Sequence, residues 1–246
     1  MKFNGSFFGK TDVGRVRVSN EDQVFVGVNK HRNVLLAVAD GMGGHARGDL
    51  ASKLAMQSLT KGFQSTLGLL TAKTATLWLR SQIIEANRAI YKEAQRSSSL
   101  KEMGTTLVIA LIVHKQLILV NIGDSRVYSF HEGQLTCLTQ DQTYVDYLYR
   151  QGKITFEEMK IHPQRHVLLN ALGLNTTVSY DLQVIPYEGQ RLMVCSDGLY
   201  NNVSFTEIAS LMASSDPTQQ KVESFIRLAN AHGGTDNIAV GMWEPL

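Results

Sequence analysis

The chain has 246 residues, of which 43% are hydrophobic, and this length and composition are typical of a globular protein with a full core. Its 24 basic and 22 acidic residues leave a formal net charge of +2, and the basic residues are scattered along the chain. This balance argues against a nucleic-acid-binding protein, which would carry a basic stripe. No apolar run approaches the roughly 20 residues of a membrane span, and the N-terminus lacks the apolar stretch of a signal peptide.

The sequence predicts a single domain over residues 1–246, because no Pro-rich, Ser-rich or low-complexity linker divides it. Two cysteines, Cys137 and Cys195, lie within apolar runs. Such positions favour buried thiols in a reducing compartment over a disulfide. These features predict a soluble cytoplasmic protein with no membrane span.

The first part of the chain combines strands with two long amphipathic helices. Strands are predicted at residues 7–18, 23–28 and 34–39, and helices at about 49–63 and 72–95. Residues 34–39 form an uninterrupted apolar run, which indicates a strand buried on both faces. The run ends abruptly on an acid and a glycine-rich turn.

The rest of the chain predicts an antiparallel sheet with further helices. Strands are predicted at 105–113, 116–123, 125–130, 134–138, 178–185, 190–195 and 238–243, and helices at about 204–212 and 219–231. Short connections between the consecutive strands favour hairpins. Residues 139–174 interrupt this pattern with three short helical segments, near 141–150, from 155, and at 167–172. The predicted fold class is α+β, an antiparallel sheet core flanked by helices.

Acidic residues recur at the junctions between glycine-containing turns and apolar strands: Asp40, Asp124, Asp197 and Asp236. One such acid reads as an ordinary turn, but several gathered at one sheet edge would repel each other. Two carboxylates at about 4 Å repel by roughly 4 kcal/mol at an effective dielectric of 20. Hard divalent ions such as Mg²⁺ or Mn²⁺ relieve this repulsion, whereas His and Cys lack the spacing of zinc ligands.

Eight short motifs follow one another along roughly residues 9–242, and they read G-R-V-R-V-S-N-E-D, V-A-D-G-M-G-G-H, M-G-T-T-L, V-N-I-G-D-S-R-V-Y, L-T-Q-D, H-P-Q-R-H, C-S-D-G-L and G-G-T-D-N-I. In this order they resemble the metal-dependent serine/threonine protein phosphatases of type 2C (PPM), in their compact bacterial form. The resemblance implies a central sandwich of two antiparallel β-sheets flanked by α-helices on both faces (αββα). It also implies that residues at about 139–174 form a small helical flap that helps to choose substrates.

The resemblance further implies a metal centre with two core ions, Mn²⁺ or Mg²⁺. Asp40 resembles the carboxylate that bridges the two ions, and Gly41 resembles the residue that lends its backbone carbonyl to one of them. Asp197 and Asp236 resemble the remaining direct ligands of the other ion.

Four further residues take roles by the same resemblance. Glu21 and Asp22 resemble the acids that hold metal-bound waters, although adjacent acids before a strand also fit a plain polar turn. Asp124, together with Asp197, matches the site where bacterial members take a third, looser ion. Arg17 matches the arginine that grips the substrate phosphate, a role that suits a guanidinium fork.

The implied mechanism is direct hydrolysis of the phosphate ester by a metal-activated water, with no cysteine nucleophile. One departure concerns the general acid, because Met42 stands where animal members carry a histidine. His45 is the alternative proton donor, with water or a purely turn-ordering role for this histidine as the competing interpretations. His162 is predicted to be structural.

The leading functional hypothesis is a phosphatase that acts on phosphorylated proteins, opposes a cognate bacterial Ser/Thr kinase and works as a monomer. A second hypothesis is a catalytically weak, phosphoprotein-binding regulatory module of the same fold. Loss of a metal ligand would favour it, yet Asp40, Asp197 and Asp236 are all present. A two-metal nuclease would require a basic track for nucleic acid, which the charge balance does not supply.

Overall fold

The computed structural model describes residues 4–43, 46–66, 71–97, 100 and 102–246. The strands within these ranges are β1 (Gly5–Asp12), β2 (Asp22–Val28), β3 (Val34–Met42), β4 (Gly104–Thr105), β5 (Leu107–Val113), β6 (Gln116–Ile122), β7 (Arg126–His131), β8 (Gln134–Cys137), β9 (Asp181–Pro186), β10 (Arg191–Cys195) and β11 (Ile238–Pro245). The helices are α1 (Ala46–Ser65), α2 (Ala72–Ala94), α3 (Tyr144–Arg150), α4 (Phe156–Ile161), α5 (Asp197–Tyr200), α6 (Phe205–Ala213) and α7 (Thr218–Ala231).

The strands form two sheets, and every strand pairing in the described ranges is antiparallel. The first sheet has the order β1-β11-β10-β7-β8. The second has the order β2-β3-β5-β6-β9, and the short strand β4 pairs with β3. The predicted α+β class with two antiparallel sheets is therefore confirmed.

Strand β3 shows how the layers pack. Val34, Leu36 and Val38 face the first sheet and join a buried cluster with Val194 and Trp243. The alternate residues of β3 join a second cluster with α1 and α2, and a third cluster packs α6 and α7 on the outer face of the first sheet. Because both faces of β3 are covered, its apolar run is continuous. Helices on both outer faces complete the predicted αββα layering.

Several strand ends meet at one end of the sandwich. Strand β2 begins where β3 ends, and Asp22 pairs with Asp40 there. Strand β10 ends beside the start of β11, with Cys195 opposite Val240. The two sheets are joined at this end because Ser196 Oγ donates a hydrogen bond to Asp22 Oδ2 at 2.6 Å. The acids that follow or precede these strands are thereby brought together.

The opening strand is shorter than the sequence predicts, since β1 ends at Asp12 and does not continue to Val18. The N–H of Gly14 donates to Asp12 Oδ1 at 2.9 Å, and Gly14 has a φ of +80°. An aspartate side chain that accepts a hydrogen bond from the backbone N–H two residues later favours a turn, so the strand ends here. A Cβ on Gly14 would lie 2.2 Å from the carbonyl oxygen of Asp236, so this turn packs directly against the candidate site.

The flap contains two of its three predicted helical segments, which are α3 and α4. The third prediction, a helix at 167–172, is wrong. Leu168 instead forms an isolated antiparallel bridge with Thr143, and Leu172 forms one with Thr105. These contacts with distant parts of the chain replace the local hydrogen bonds that a helix requires.

The described helices do not meet the requirements of a membrane span. None of them combines the necessary length with sufficient hydropathy. The longest described helix, α2, has 23 residues and buries one face, while Leu77 and Ile84 are exposed among its other residues.

Candidate metal centre

The predicted acids lie on or beside strand ends. Asp22 opens β2, Asp40 lies near the end of β3, Asp124 follows β6, Asp197 follows β10, and Asp236 precedes β11. Burial raises the pKa of Asp40 well above its usual value, and the charges of the other four acids raise it further. The structure thus brings five of the predicted site residues into one electrostatically coupled group.

Asp22 is 1% exposed, so its carboxyl depends on the contacts that the fold provides. Ser196 Oγ donates to Asp22 Oδ2, while Asp22 Oδ1 is buried and has no hydrogen-bond partner among the described residues. Burial raises the pKa of Asp22 to about 7, and the charges of Asp197 and Asp236 add to this effect, which the Ser196 bond opposes. A buried carboxyl with an unbonded oxygen requires either a proton or a cation.

The main chain of Asp40 is held on both sides by two buried threonines. Its N–H donates to Thr106 Oγ1 at 3.0 Å. Its carbonyl oxygen accepts hydrogen bonds from Thr105 Oγ1 and from the Thr106 N–H, both at 2.9 Å. These threonines belong to the M-G-T-T-L motif, to which the sequence analysis assigned no role. They fix the end of β3, and with it the starting point of the Asp40 side chain.

Gly41 and Gly48 allow helix α1 to pack directly on the candidate centre. A Cβ on Gly41 would lie 2.2 Å from the carbonyl oxygen of Gly48 and 2.8 Å from that of Glu21. A Cβ on Gly48 would lie 1.8 Å from Glu21 Oε2. Ser52 Oγ, one turn further along α1, donates to the Glu21 carbonyl oxygen at 2.5 Å. The first turns of α1 therefore position both Glu21 and Gly41.

Asp197 begins the one-turn helix α5, and Asn201 Nδ2 donates to its Oδ2 at 3.0 Å. Burial raises the pKa of Asp197 to about 6, and the charge of Asp236 acts in the same direction. Asp124 is 8% exposed. Burial raises the pKa of Asp124 well above its usual value, and the charge of Asp197 raises it further. The two acids that are predicted to share a third ion therefore interact with each other.

Arg17 pairs with Asp236, with 2.8 Å between Nη2 and Oδ2, and 52% of the Arg17 side chain is exposed. Burial lowers the pKa of Arg17, but the charge and hydrogen bond of Asp236 outweigh this effect and raise it. The charges of Glu21 and Asp197 act in the same direction. Arg17 thus lies on the solvent side of the acidic group, where a phosphate can approach it.

Asn237 connects three segments behind these residues. Its Oδ1 accepts the Glu21 N–H at 2.8 Å. Its Nδ2 donates to the carbonyl oxygens of Val13 and Ser19, both at 2.9 Å. Because Asn237 directly follows Asp236, this amide fixes the spacing between Asp236 and Glu21.

The structure describes His162 but not His45. His45 lies outside the described residues, so its role as a proton donor stays a prediction. Met42 is the last residue of β3. His162 Nδ1 accepts the Gln164 N–H at 3.1 Å, and its ring lies 6.2 Å from the ring of Tyr144. These contacts within the flap agree with the predicted structural role of His162.

Within the described part of the chain, no three His, Cys, Asp or Glu side chains converge closely enough to form a ready-made metal site. Other contacts hold some of the carboxylate oxygens, with Arg17 on Asp236 and Asn201 on Asp197. The donor set nevertheless fits a hard divalent cation. Asp22 Oδ1 is buried without a described partner, and the carboxyls raise one another's pKa, which is the electrostatic condition that a cation relieves.

Comparisons with known proteins identify the family of this chain. The family model described as protein phosphatase 2C matches residues 15–237. The chain is 41% identical over 236 residues to the serine/threonine phosphatase Stp of Listeria welshimeri, covering 96% of this chain and 94% of that protein. The structure of the Streptococcus agalactiae serine/threonine phosphatase superposes with a TM-score of 0.92 and 34% identity, covering 98% of this chain and 99% of that one.

A further similar structure bears on the metal. It is the catalytic domain of the serine/threonine phosphatase PstP in complex with two manganese ions, with a TM-score of 0.85, 34% identity and 98% coverage of both chains. The chain belongs to the protein phosphatase 2C family, as its eight motifs predict. This is a family of metal-dependent phosphatases that act on serine and threonine.

Proposed function

We propose that this chain is an active bacterial phosphatase that hydrolyses phosphoserine and phosphothreonine in proteins. The observation that carries the proposal is the group of coupled carboxyls, in which Asp22 and Asp40 face each other and Asp22 Oδ1 lacks a described partner. Buried acids of this kind become stably ionised only beside positive charge. Family membership supports the reaction class, and the acidic group is where divalent ions are proposed to act.

The proposed ions are Mn²⁺ or Mg²⁺, two in the core of the centre. The residues that would hold them are Asp40, the Gly41 carbonyl, Asp197 and Asp236. The all-oxygen donor set supports this choice of ions, as does the manganese in the related PstP structure. When bound, such ions supply Lewis-acid activation of a water and polarisation of the phosphoryl oxygens.

The acids around this core have supporting roles in the proposal. Glu21 and Asp22 would accept hydrogen bonds from water at the centre, and Asp124 and Asp197 would hold a third, looser ion. The enclosure of Glu21 between α1 and the Gly41 backbone supports its role, because the contact with Gly48 restricts the carboxylate.

Arg17 binds the phosphate of the substrate and orients the scissile P–O bond. Its planar set of N–H donors matches two phosphoryl oxygens, and half of the side chain is accessible. His45 remains the proposed donor of the proton that the leaving serine or threonine oxygen requires.

The substrates are phosphorylated proteins, and the proposed partner is the Ser/Thr kinase that phosphorylates them. We place the reaction in the cytoplasm, where the free thiols of Cys137 and Cys195 stay reduced. The monomeric state is part of the proposal, and light scattering after size-exclusion chromatography tests it directly.

The test of this function is phosphate release from three peptides that differ only in carrying phosphoserine, phosphothreonine or phosphotyrosine. With Mn²⁺, the protein is expected to hydrolyse the first two well and the third poorly, and Asp236→Asn is expected to abolish turnover. Binding of the phosphothreonine peptide without hydrolysis, in any metal, would instead establish the regulatory-module alternative.

A further inference from the structure

Residues 15–18, which we call the Arg17 segment, read R-V-R-V, and all four are exposed to solvent. Val16 is 67% exposed and Val18 is 91% exposed, and neither joins any of the three described core clusters. Among the large hydrophobic residues that the structure describes, only Leu246 is more exposed than Val18. Single exposed apolar residues are common on protein surfaces, but the two valines that flank Arg17 together form a small apolar surface.

Hydrogen bonds on both sides fix the Arg17 segment. Asn237 Nδ2 donates to the carbonyl oxygens of Val13 and Ser19, which lie shortly before and directly after the segment, both at 2.9 Å. The N–H of Arg15 donates to the Gly234 carbonyl oxygen at 2.8 Å. A short stretch that is held at both ends keeps its conformation in the free protein, so little backbone ordering is needed on binding.

The Arg17 segment is continuous with the proposed phosphate site. Arg17 Nη2 lies 2.8 Å from Asp236 Oδ2, so the guanidinium is at the acidic group. A phosphoresidue bound there would bring the rest of its peptide across Val16 and Val18, since these residues adjoin Arg17 in the chain. In an extended peptide, residues two positions apart project their side chains from the same face. The side chains two positions from the phosphoresidue are therefore the ones that face the segment.

The valine side chains define the chemistry that this surface can bind. They have no hydrogen-bonding group, so the favourable interaction open to them is the burial of apolar surface. Their χ1 angles are restricted, which limits the rotamer freedom that binding removes. Arg15 is the feature of the segment that would instead favour an acidic partner, and peptides with an acidic side chain distinguish the two chemistries.

We propose that Val16 and Val18 form a binding surface for an aliphatic side chain located two residues before or after the phosphorylated residue of the substrate. The substrate class is thus an extended phosphoprotein segment with an aliphatic residue, such as valine, at one of these positions. Val16 and Val18 determine specificity and do not touch the reacting atoms. This inference rests on the proposed function, because it places the substrate phosphate at Arg17.

The test uses three phosphothreonine peptides that are identical except at the two positions located two residues from the phosphothreonine. Both positions carry valine, serine or glutamate, and kcat/KM is measured with Mn²⁺. The wild type is expected to favour the valine peptide over the serine peptide by roughly fivefold, mainly through a lower KM, since partial burial of a few methyl groups has an effect of this size. Equal values for these two peptides, or a preference for the glutamate peptide over the valine peptide, would overturn the inference.

The double variant Val16→Ser/Val18→Ser removes the apolar surface and keeps Arg17. Its ratio of kcat/KM for the valine peptide to that for the serine peptide is expected to fall to about one, and Val18→Ser alone is expected to give an intermediate ratio. The ratio compares two substrates of the same protein, so a general change in activity does not affect it. A wild-type ratio in the double variant would overturn the inference. Loss of all activity in both variants would also overturn it, because the valines would then support Arg17 and not the peptide.

Val184→Ser is the matched control. Val184 is exposed on β9, which is the edge strand of the second sheet opposite β2. This variant makes the same chemical change away from the Arg17 segment, and its ratio is expected to equal that of the wild type. Loss of the preference in this variant as well would show a general structural effect and contradict the inference.

The wild-type results separate this inference from the proposed function. Hydrolysis of all three peptides with equal kcat/KM would overturn the inference and leave the proposed function intact. No hydrolysis of any peptide with Mn²⁺ or Mg²⁺ would overturn the proposed function, and the inference with it.

Discussion

Asp22 and Asp40 are cross-strand partners where strands β2 and β3 meet, and burial and the charge of Asp22 raise the pKa of the Asp40 carboxyl. Two buried carboxyls that repel each other are both ionised only beside a cation, so without one the pair retains a proton. A divalent ion that binds Asp40 removes the need for this proton, so metal binding and proton release are linked at this pair. This relationship leads to predictions that do not depend on the identity of the substrate.

The stability of the metal-free protein is predicted to fall as pH rises. Burial raises the pKa of Asp22 to about 7 and that of Asp197 to about 6, both above the value of 3.8 for a model carboxyl. Between about pH 4 and pH 7 the folded state therefore binds more protons than the unfolded state, and the free energy of unfolding decreases with pH by on the order of a few kcal/mol. Thermal unfolding in EDTA measures this decrease, and Mn²⁺ is expected to raise the melting temperature most above pH 7. A melting temperature in EDTA that rises through this range would contradict the prediction.

Removal of the Arg17 guanidinium is predicted to weaken substrate binding more than catalysis. Arg17→Ala is expected to raise KM for a phosphothreonine peptide by about tenfold or more, because a charge-assisted contact worth about 1.5–3 kcal/mol is lost. Arg17→Lys retains the charge without the fork of donors and is expected to recover only part of the affinity. An unchanged KM in Arg17→Ala would remove this residue from the phosphate site.

Acids proposed to bind the core ions and the acid proposed to bind the third ion are predicted to respond differently to substitution. Asp40→Asn is expected to reduce kcat by more than about 100-fold. Substituting even a hydrogen-bond partner of a metal ligand lowers metal affinity or activity by about 10- to 100-fold, and loss of a ligand should cost more. Asp124→Ala is expected to impair turnover while the two core ions remain bound. Mn²⁺ stoichiometry and kcat, measured on both variants, distinguish these outcomes. Full activity in Asp124→Ala would make a third ion irrelevant here.

A separate prediction concerns stability away from the acidic group. Glu244 is 8% exposed and accepts hydrogen bonds from Lys221, which is 2% exposed, at 2.6 Å. Arg191 Nε lies 3.3 Å from the same Oε1 atom. Glu244→Ala leaves the Lys221 ammonium buried without its partner and is expected to cost about 3–5 kcal/mol of unfolding free energy.

Urea denaturation measures this loss, and the double variant Lys221→Met/Glu244→Leu is expected to restore most of it, because no buried charge remains. The activity per folded molecule should stay at the wild-type level in both variants. A single variant that is as stable as the wild type would contradict the assignment of a buried, stabilising pair.

Local patterns in the sequence were sufficient to predict the core layers and most of the acids of the candidate metal centre. The apolar run at 34–39 predicted a strand buried on both faces, and each of these residues has no exposed surface. Asp40, at the end of that run, was recognisable as a candidate ligand. A carboxylate beside buried apolar residues is unfavourable unless its charge is neutralised.

Contacts between distant parts of the chain were not predictable in the same way. The anchoring of Asp40 by Thr105 and Thr106 depends on the pairing of β3 with β4 and β5. Likewise, the Tyr200 hydroxyl reaches Asp124 only because α5 packs at the end of β6, and Leu172 is extended because it bridges to Thr105. Periodicity describes one segment at a time and contains no information on such partners.

The most direct test of the account is phosphate release from a phosphothreonine peptide while the EDTA-stripped protein is titrated with Mn²⁺ or Mg²⁺, in parallel with Asp40→Asn. We predict no turnover in EDTA, turnover that rises with either ion and saturates, and no rescue of Asp40→Asn at any ion concentration. Turnover in EDTA, or wild-type rates in Asp40→Asn, would contradict the claim that the carboxyls around Asp22 and Asp40 hold the ions that drive hydrolysis.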